Sequence, residues 1–199
     1  LVELHGGPLI GFPVLNDLGC SGNLTVESGA TLKFNNMTFD LYVAGNVNLS
    51  GSLQQSAKAG ADLFVNGNWV QSGTGVLTGN NRTVVFNKQS SSIAQTISGS
   101  TTFDNITLNN SAGLNCIGAT DNNTVNQNLT LTNGKITLNT NNLIIGASGN
   151  ITNYSDTRYI VTNNTGELKR TLGTDKYYPV GSETAYNPIK LSNNGTTDV

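Results

Sequence analysis

The chain is written in short apolar triplets. Leu24-Thr25-Val26, Leu41-Tyr42-Val43, Leu63-Phe64-Val65, Ile106-Thr107-Leu108 and Leu129-Thr130-Leu131 each set two apolar side chains around a middle residue, and Gly, Asn or Ser closes most of them off. Alternation of period two over three to five residues, punctuated by turn formers, predicts short strands with one face inward. Alternate positions then give the expected core: Leu24, Val26, Leu32, Phe34, Leu41, Val43, Leu63, Val65, Trp69, Ile106, Leu108, Leu129, Leu131, Ile136 and Leu138.

The triplets recur. Asp40-Leu-Tyr-Val-Ala-Gly-Asn46 returns 22 residues later as Asp62-Leu-Phe-Val-Asn-Gly-Asn68, and Ser50-Gly51 returns as Ser72-Gly73 at the same spacing. Phe34-Asn-Asn-Met-Thr38 resembles Phe103-Asp-Asn-Ile-Thr107, and Asn105-Ile-Thr-Leu precedes Asn128-Leu-Thr-Leu by 23 residues. The period wanders around 17 to 23 residues, with one longer stretch, Thr74 to Thr102, that reads as holding an extra strand pair, Thr83-Val-Val-Phe86 and Gln95-Thr-Ile97. A repeat near 20 residues made of short strands predicts a β-solenoid. One such unit cannot bury its apolar face alone; stacked units about 4.8 Å apart can. The expected fold is therefore all-β, a parallel β-helix, right-handed by analogy with most such solenoids.

Composition strengthens this reading. Of 199 residues, 30 are Asn, 25 Thr, 23 Gly and 16 Ser, so helix is disfavoured almost everywhere. Charged residues are 11%, against roughly a quarter in ordinary domains. A stack explains the shortage, because a like charge would recur above its neighbour at each turn. Asn tolerates the same position, since amides hydrogen-bond up a column. Ten Lys and Arg against 12 Asp and Glu leave a net charge of -2 with no basic stripe, which argues against a nucleic-acid partner. No apolar run approaches the roughly 20 residues of a membrane-spanning helix.

The pattern changes twice. Residues 1–22 are apolar and punctuated by Gly and Pro, and read as a cap or the end of a preceding turn. Residues 23–156 carry the repeat. From about Asp156 the charges return, and 157–199 reads as the start of a separate β-sandwich-like module. The opening lacks a basic signal-type segment, and the end, Asn193 to Val199, resembles a hairpin cut short, so the chain reads as a piece of something longer. Frequent N-x-[ST] sequons, among them Asn23, Asn36, Asn48, Asn81 and Asn105, follow from the Asn and Thr content and hint only weakly at an external surface.

Candidate chemistry is sparse. His5 is the only imidazole, set beside Gly6-Gly7-Pro8, where a turn or buried role is expected. The only cysteines, Cys20 and Cys116, fall about four turns apart, near 19 Å at the rung spacing. A disulfide needs Cα atoms within about 7 Å, so thiols that are free or paired with other chains, packed as small apolar groups, are expected. Asp40 and Asp62 occupy equivalent slots and would stack about 5 Å apart, a separation that fits a retaining glycosidase pair. Each also precedes a strand beside a turn, where Asp is an ordinary residue. The turn role is preferred, and a Ca²⁺ site completed by carbonyl oxygens is kept as the candidate metal site. Trp69 is expected to fill the core in the slot of Val47, with sugar stacking as the sharper alternative. Between residues 89 and 155 the only charges are Asp104, Asp121 and Lys135, too few for a lyase site. An ice-binding threonine array is weighed and set aside, because the T-x-T slot reads Thr25-Val-Glu27, Tyr42-Val-Ala44 and Phe64-Val-Asn66.

Asn128-Leu-Thr-Leu-Thr-Asn-Gly-Lys-Ile-Thr-Leu138, then Leu143-Ile-Ile-Gly146, Gly166-Glu-Leu-Lys-Arg-Thr171 and Tyr178-Pro-Val-Gly181 with Tyr186-Asn-Pro-Ile-Lys-Leu191, follow an order that resembles large secreted and surface proteins of Bacteroidetes-type bacteria. The resemblance covers about residues 80–199, more loosely 23–79. It implies a β-helical repeat region, an adhesin-like role, an extracellular location and export by the type IX route. The expectation is a non-catalytic structural or adhesive segment, whose partners are other domains of the same protein, surface glycans or other surface proteins. The alternative is an accessory carbohydrate-binding region of a secreted carbohydrate-active enzyme.

Overall fold

Burial follows the alternation. In Leu24–Val26, Leu41–Val43, Val47–Leu49 and Leu63–Val65 the two outer residues are buried and the middle one is half-buried. Strands this short end where Gly or Asn turns the chain; Gly29, Gly60 and Asn35, for example, adopt positive φ, a conformation other side chains resist. The structure, a computed structural model, describes residues 2–4, 18–88, 92–171 and 175–192. His5 and the segment 193–199 lie outside the described residues.

Strands of successive turns pair in parallel register. Leu41 lies beside Leu63, and Leu24 beside Val47, which lies beside Trp69. The result is a β-solenoid of about 7 turns, with no helix among the described residues. Sheet A has nine strands, from Val2–Leu4 to Val180–Gly181, and sheet B runs from Leu18–Cys20 to Leu168–Arg170. Sheet C has three strands, Thr31–Lys33, Ser52–Gln54 and Val76–Thr78. One continuous apolar core runs along the axis from Cys20 to Ile160. Every expected core residue is buried except Leu32, which is half-buried against that core.

The stretch from Thr74 to Thr102 holds no extra strand pair. Thr83–Phe86 takes its regular place in sheet B between Leu63–Val65 and Thr102–Asn109, and Gln95–Ser98 its place in sheet A beside Trp69–Gln71 and Leu114–Cys116. The added length lies in the connection between these two strands; Thr96 meets Asn68 across 28 residues instead of the usual 22 or 23.

From this turn the cross-section changes. Val76–Thr78 lies beside the start of Thr102–Asn109, whose later part pairs with Thr83–Phe86. Two faces thus merge into one long strand. Asn122–Asn133 repeats this, and its two halves then pair separately with Asn142–Ile145 and Asn150–Thr152. The corner at residues 79–82 needs positive φ at Asn80 and Asn81; at Asp104 and at Asn126-Gln127 the chain passes in one continuous strand with a register shift instead.

The sheets also run past residue 156. Ile160–Val161 pairs with Ile136–Thr137, Leu168–Arg170 with Asn142–Ile145, and Val180–Gly181 with Ile160–Val161, all in parallel. The strands on which a separate sandwich-like module is expected therefore add the last rungs of the solenoid. Only Lys176–Tyr178 with Ile189–Leu191 departs, as an antiparallel ribbon. At the other end Val2–Leu4 lies antiparallel on Leu24–Val26, at the edge of sheet A, while Leu18–Cys20 is already a parallel rung of sheet B.

Candidate functional site

Asp40 and Asp62 do come to the same corner of successive turns, and their carboxylates are engaged there. The Asp62 amide donates to Asp40 Oδ1 at 2.9 Å, and the Thr83 amide to Asp62 Oδ1 at 2.8 Å. The opposite corner is built the same way with neutral side chains. Asn46 donates its amide to Asn23 Oδ1 and Asn68 to Asn46 Oδ1, both at 2.8 Å, and Thr96 to Asn68 Oδ1 at 2.9 Å. What each corner needs is an acceptor for a backbone N–H, not a charge. Among the described residues no three His, Cys, Asp or Glu are grouped so as to hold a metal ion.

Trp69 is fully buried, and its Nε1 donates to Thr101 Oγ1 at 2.9 Å. Thr101 Oγ1 donates in turn to Gln71 Oε1 at 2.8 Å, and the Phe103 ring lies 5.1 Å away. The indole presents no face to a ligand, so the sugar-stacking alternative for Trp69 is set aside. Tyr42 and Phe64 point outward, half-buried and stacked at 4.5 Å with 17° between their planes. They were legible as the middle residues of two alternating triplets.

These two rings begin a column on the outer face of sheet B. Tyr42, Phe64, Val85, Thr107, Thr130 and Thr152 follow one another in register. Beside its later half runs a second column, Asn105, Asn128 and Asn150, so three consecutive rungs show Asn-x-Thr in register. Asn128 Nδ2 donates to Asn105 Oδ1, and Thr152 Oγ1 to Thr130 Oγ1, both at 3.2 Å. A further amide ladder, Asn133 to Asn109 to Asn87, lies at 2.7 and 2.9 Å. Each rung thereby fixes the rotamers of the next.

No family model matches this chain, and no curated protein or solved structure matches it. The geometry of its surface therefore carries the functional reading.

A concave feature lies on sheet A. A groove of about 390 Å³ is lined by Asn115, Thr137, Lys135 and Glu183, among others. The Lys135 ammonium donates to the Glu183 carbonyl at 2.7 Å and lies 4.6 Å from the centre of the Tyr159 ring. Tyr159 is itself buried, its hydroxyl donating to the Ser182 carbonyl at 2.7 Å. The Glu183 carboxylate accepts from Asn163 Nδ2 at 3.3 Å. Sequence reasoning notes Lys135 only as an isolated charge. It meets Glu183 across 48 residues, and no repeat or motif links the two.

Cys20 and Cys116 are both free and buried, as expected. Cys20 lies in the first rung of sheet B and Cys116 in sheet A beside Ile97. Burial, with the Asp121 carboxylate adding to it, pushes the Cys116 thiol up to about 12. A thiol so protonated is a packing group and not a nucleophile.

Proposed function

We propose that this chain is a non-catalytic structural and adhesive segment of a large bacterial surface or secreted protein, of the Bacteroidetes kind exported by the type IX route. The observation that carries the reading is the outer face of sheet B, where Asn-x-Thr repeats in register over three rungs. A laddered array of amides and hydroxyls on a rigid stack is a pre-organised polar contact surface. Its partners in this reading are neighbouring domains of the same protein and the glycans or proteins of an opposing surface. The corner Asp residues serve the backbone, and Cys116 is held protonated, which fits a scaffold better than a site of turnover.

Two measurements test it. Antibodies against the chain should label intact cells of the organism that makes it; labelling only after permeabilisation would overturn the surface location. Beads coated with the chain should adhere to a glycan- or protein-coated surface, and Thr107→Val with Thr130→Val, which keep the branched shape and stack no charges, should abolish adhesion with little change in the melting temperature. Unchanged adhesion would remove sheet B from the reading. Incubation with a glycan panel should release no product, and turnover that survives repurification would instead favour a region of a carbohydrate-active enzyme.

A further inference from the structure

The groove on sheet A brings a held cation together with polar side chains that hold no partner among the described residues. Several outward amides and hydroxyls of the solenoid hold one another: Asn48 donates to Thr25, Asn109 to Asn87, and Asn142 to Asn122. Asn115 and Thr137 are register neighbours on adjacent strands, yet neither side chain has a hydrogen-bond partner among the described residues. Beside them Lys135 is held by two neutral groups, the Glu183 carbonyl and the Tyr159 ring. An ammonium carries three donors, and the carbonyl uses one. The nearby carboxylate of Glu183 is bonded to Asn163. A positioned cation therefore shares with unbonded amide and hydroxyl groups the lining of a groove of about 390 Å³, within the size range of small-ligand sites.

We propose that this groove binds a sugar bearing a carboxylate, of the uronic acid class. Lys135 pairs with the ligand carboxylate, and Asn115 and Thr137 take ring hydroxyls, the amide able both to donate and to accept. The Glu183 carboxylate tempers this preference, because it adds a like charge near the acid. The inference goes beyond the scaffold reading, since a rigid spacer needs no such groove, and it stands or falls separately from surface labelling and bead adhesion.

Calorimetric titration with the methyl glycosides of glucuronic and galacturonic acid, against those of glucose and galactose, tests it. At least one acid should bind about tenfold or more tighter than its neutral counterpart, with the difference shrinking as salt is raised. Lys135→Gln should abolish the difference. Asn115→Ala with Thr137→Val should weaken acid and neutral sugars alike. Glu183→Gln should tighten binding of the acid, and because Glu183 is an exposed side chain this variant keeps the charge test intact even if Lys135→Gln loosens the packing on Tyr159. Equal affinities for acid and neutral sugars, no binding of any of the four, or weaker acid binding in Glu183→Gln would each overturn the proposal.

Discussion

At the scale of single residues, the core of this solenoid has no tolerance for charge. Leu63 is fully buried between Leu41 and Val84 on the adjoining rungs. Leu63→Asp would put a carboxylate among apolar neighbours, with a cost on the order of 4 kcal/mol or more. Urea or thermal unfolding should show a large loss, and an unchanged midpoint would mean that this register is not the one formed in solution. Cys116 gives a quieter test. Its thiol is pushed up to about 12, above its ordinary value near 9, so the folded chain keeps a proton that the unfolded chain releases between those values. More protons bound in the folded state means that stability falls as pH rises. The Cys116 contribution is fully present below about pH 9 and is lost on the way to about pH 12. Unfolding midpoints from about pH 8 to about pH 11 should fall more steeply for the natural chain than for Cys116→Ala, which isolates the thiol from Tyr and Lys titrations in the same range. Thiol titration of the unfolded, unreduced protein should find both cysteines free; finding none in a monomer would mean that distant turns are crosslinked.

At the scale of strands and corners, side-chain oxygens do what a tighter backbone turn does elsewhere. Asp62→Ala leaves the Thr83 amide without its acceptor and should cost about 1 kcal/mol, as other backbone caps do. Asp62→Asn keeps an oxygen in the same place and should be near neutral, because the Asn23, Asn46 and Asn68 column shows that an amide suffices. Adding Ca²⁺ or EDTA should leave the melting temperature where it is; a clear rise with Ca²⁺ would instead support the metal reading of Asp40 and Asp62. This corner also shows how far sequence can be read. The Asp40 and Asp62 repeats are legible because Gly and Asn close three-residue strands whose alternation is unbroken, and the observed register is the one the repeat implies. Asp104 and Asn126-Gln127 are not legible in this way. Asp104 and Asn126 are turn-forming residue types, yet they lie inside long strands that merge two faces, since the preceding rung, and not local preference, dictates their backbone. The groove is hidden for a related reason. Asn115 and Thr137 belong to the repeat, but Glu183 comes from the charged tail, where composition suggests a different module and pairing shows continued rungs.

For the whole molecule, stability should be distributed along one dimension. Each rung touches only the rungs on either side, so its protection is the sum of its own packing and two interfaces. The rungs of Thr102–Asn109 and Asn122–Asn133 have the longest strands and a neighbour on each flank. The terminal ribbon, Lys176–Tyr178 with Ile189–Leu191, has only two strands and leaves Tyr177, Ile189 and Leu191 exposed. Amide hydrogen exchange should therefore be slowest at Ile106, Leu108, Leu129 and Leu131 and fastest in that ribbon. Truncating a core side chain then separates the two regimes. Leu129→Ala removes a fully buried residue that joins Ile106 to Ile151, and should cost about 2–5 kcal/mol and speed exchange in the rungs on both sides. Leu168→Ala, half-buried at the last rung of its sheet, should speed exchange only near Asn142–Ile145 and the ribbon, leaving the central rungs protected. Equal effects of the two changes over the whole chain would show a single all-or-none unit, and the additive description of a stack of rungs would have to be abandoned for this protein.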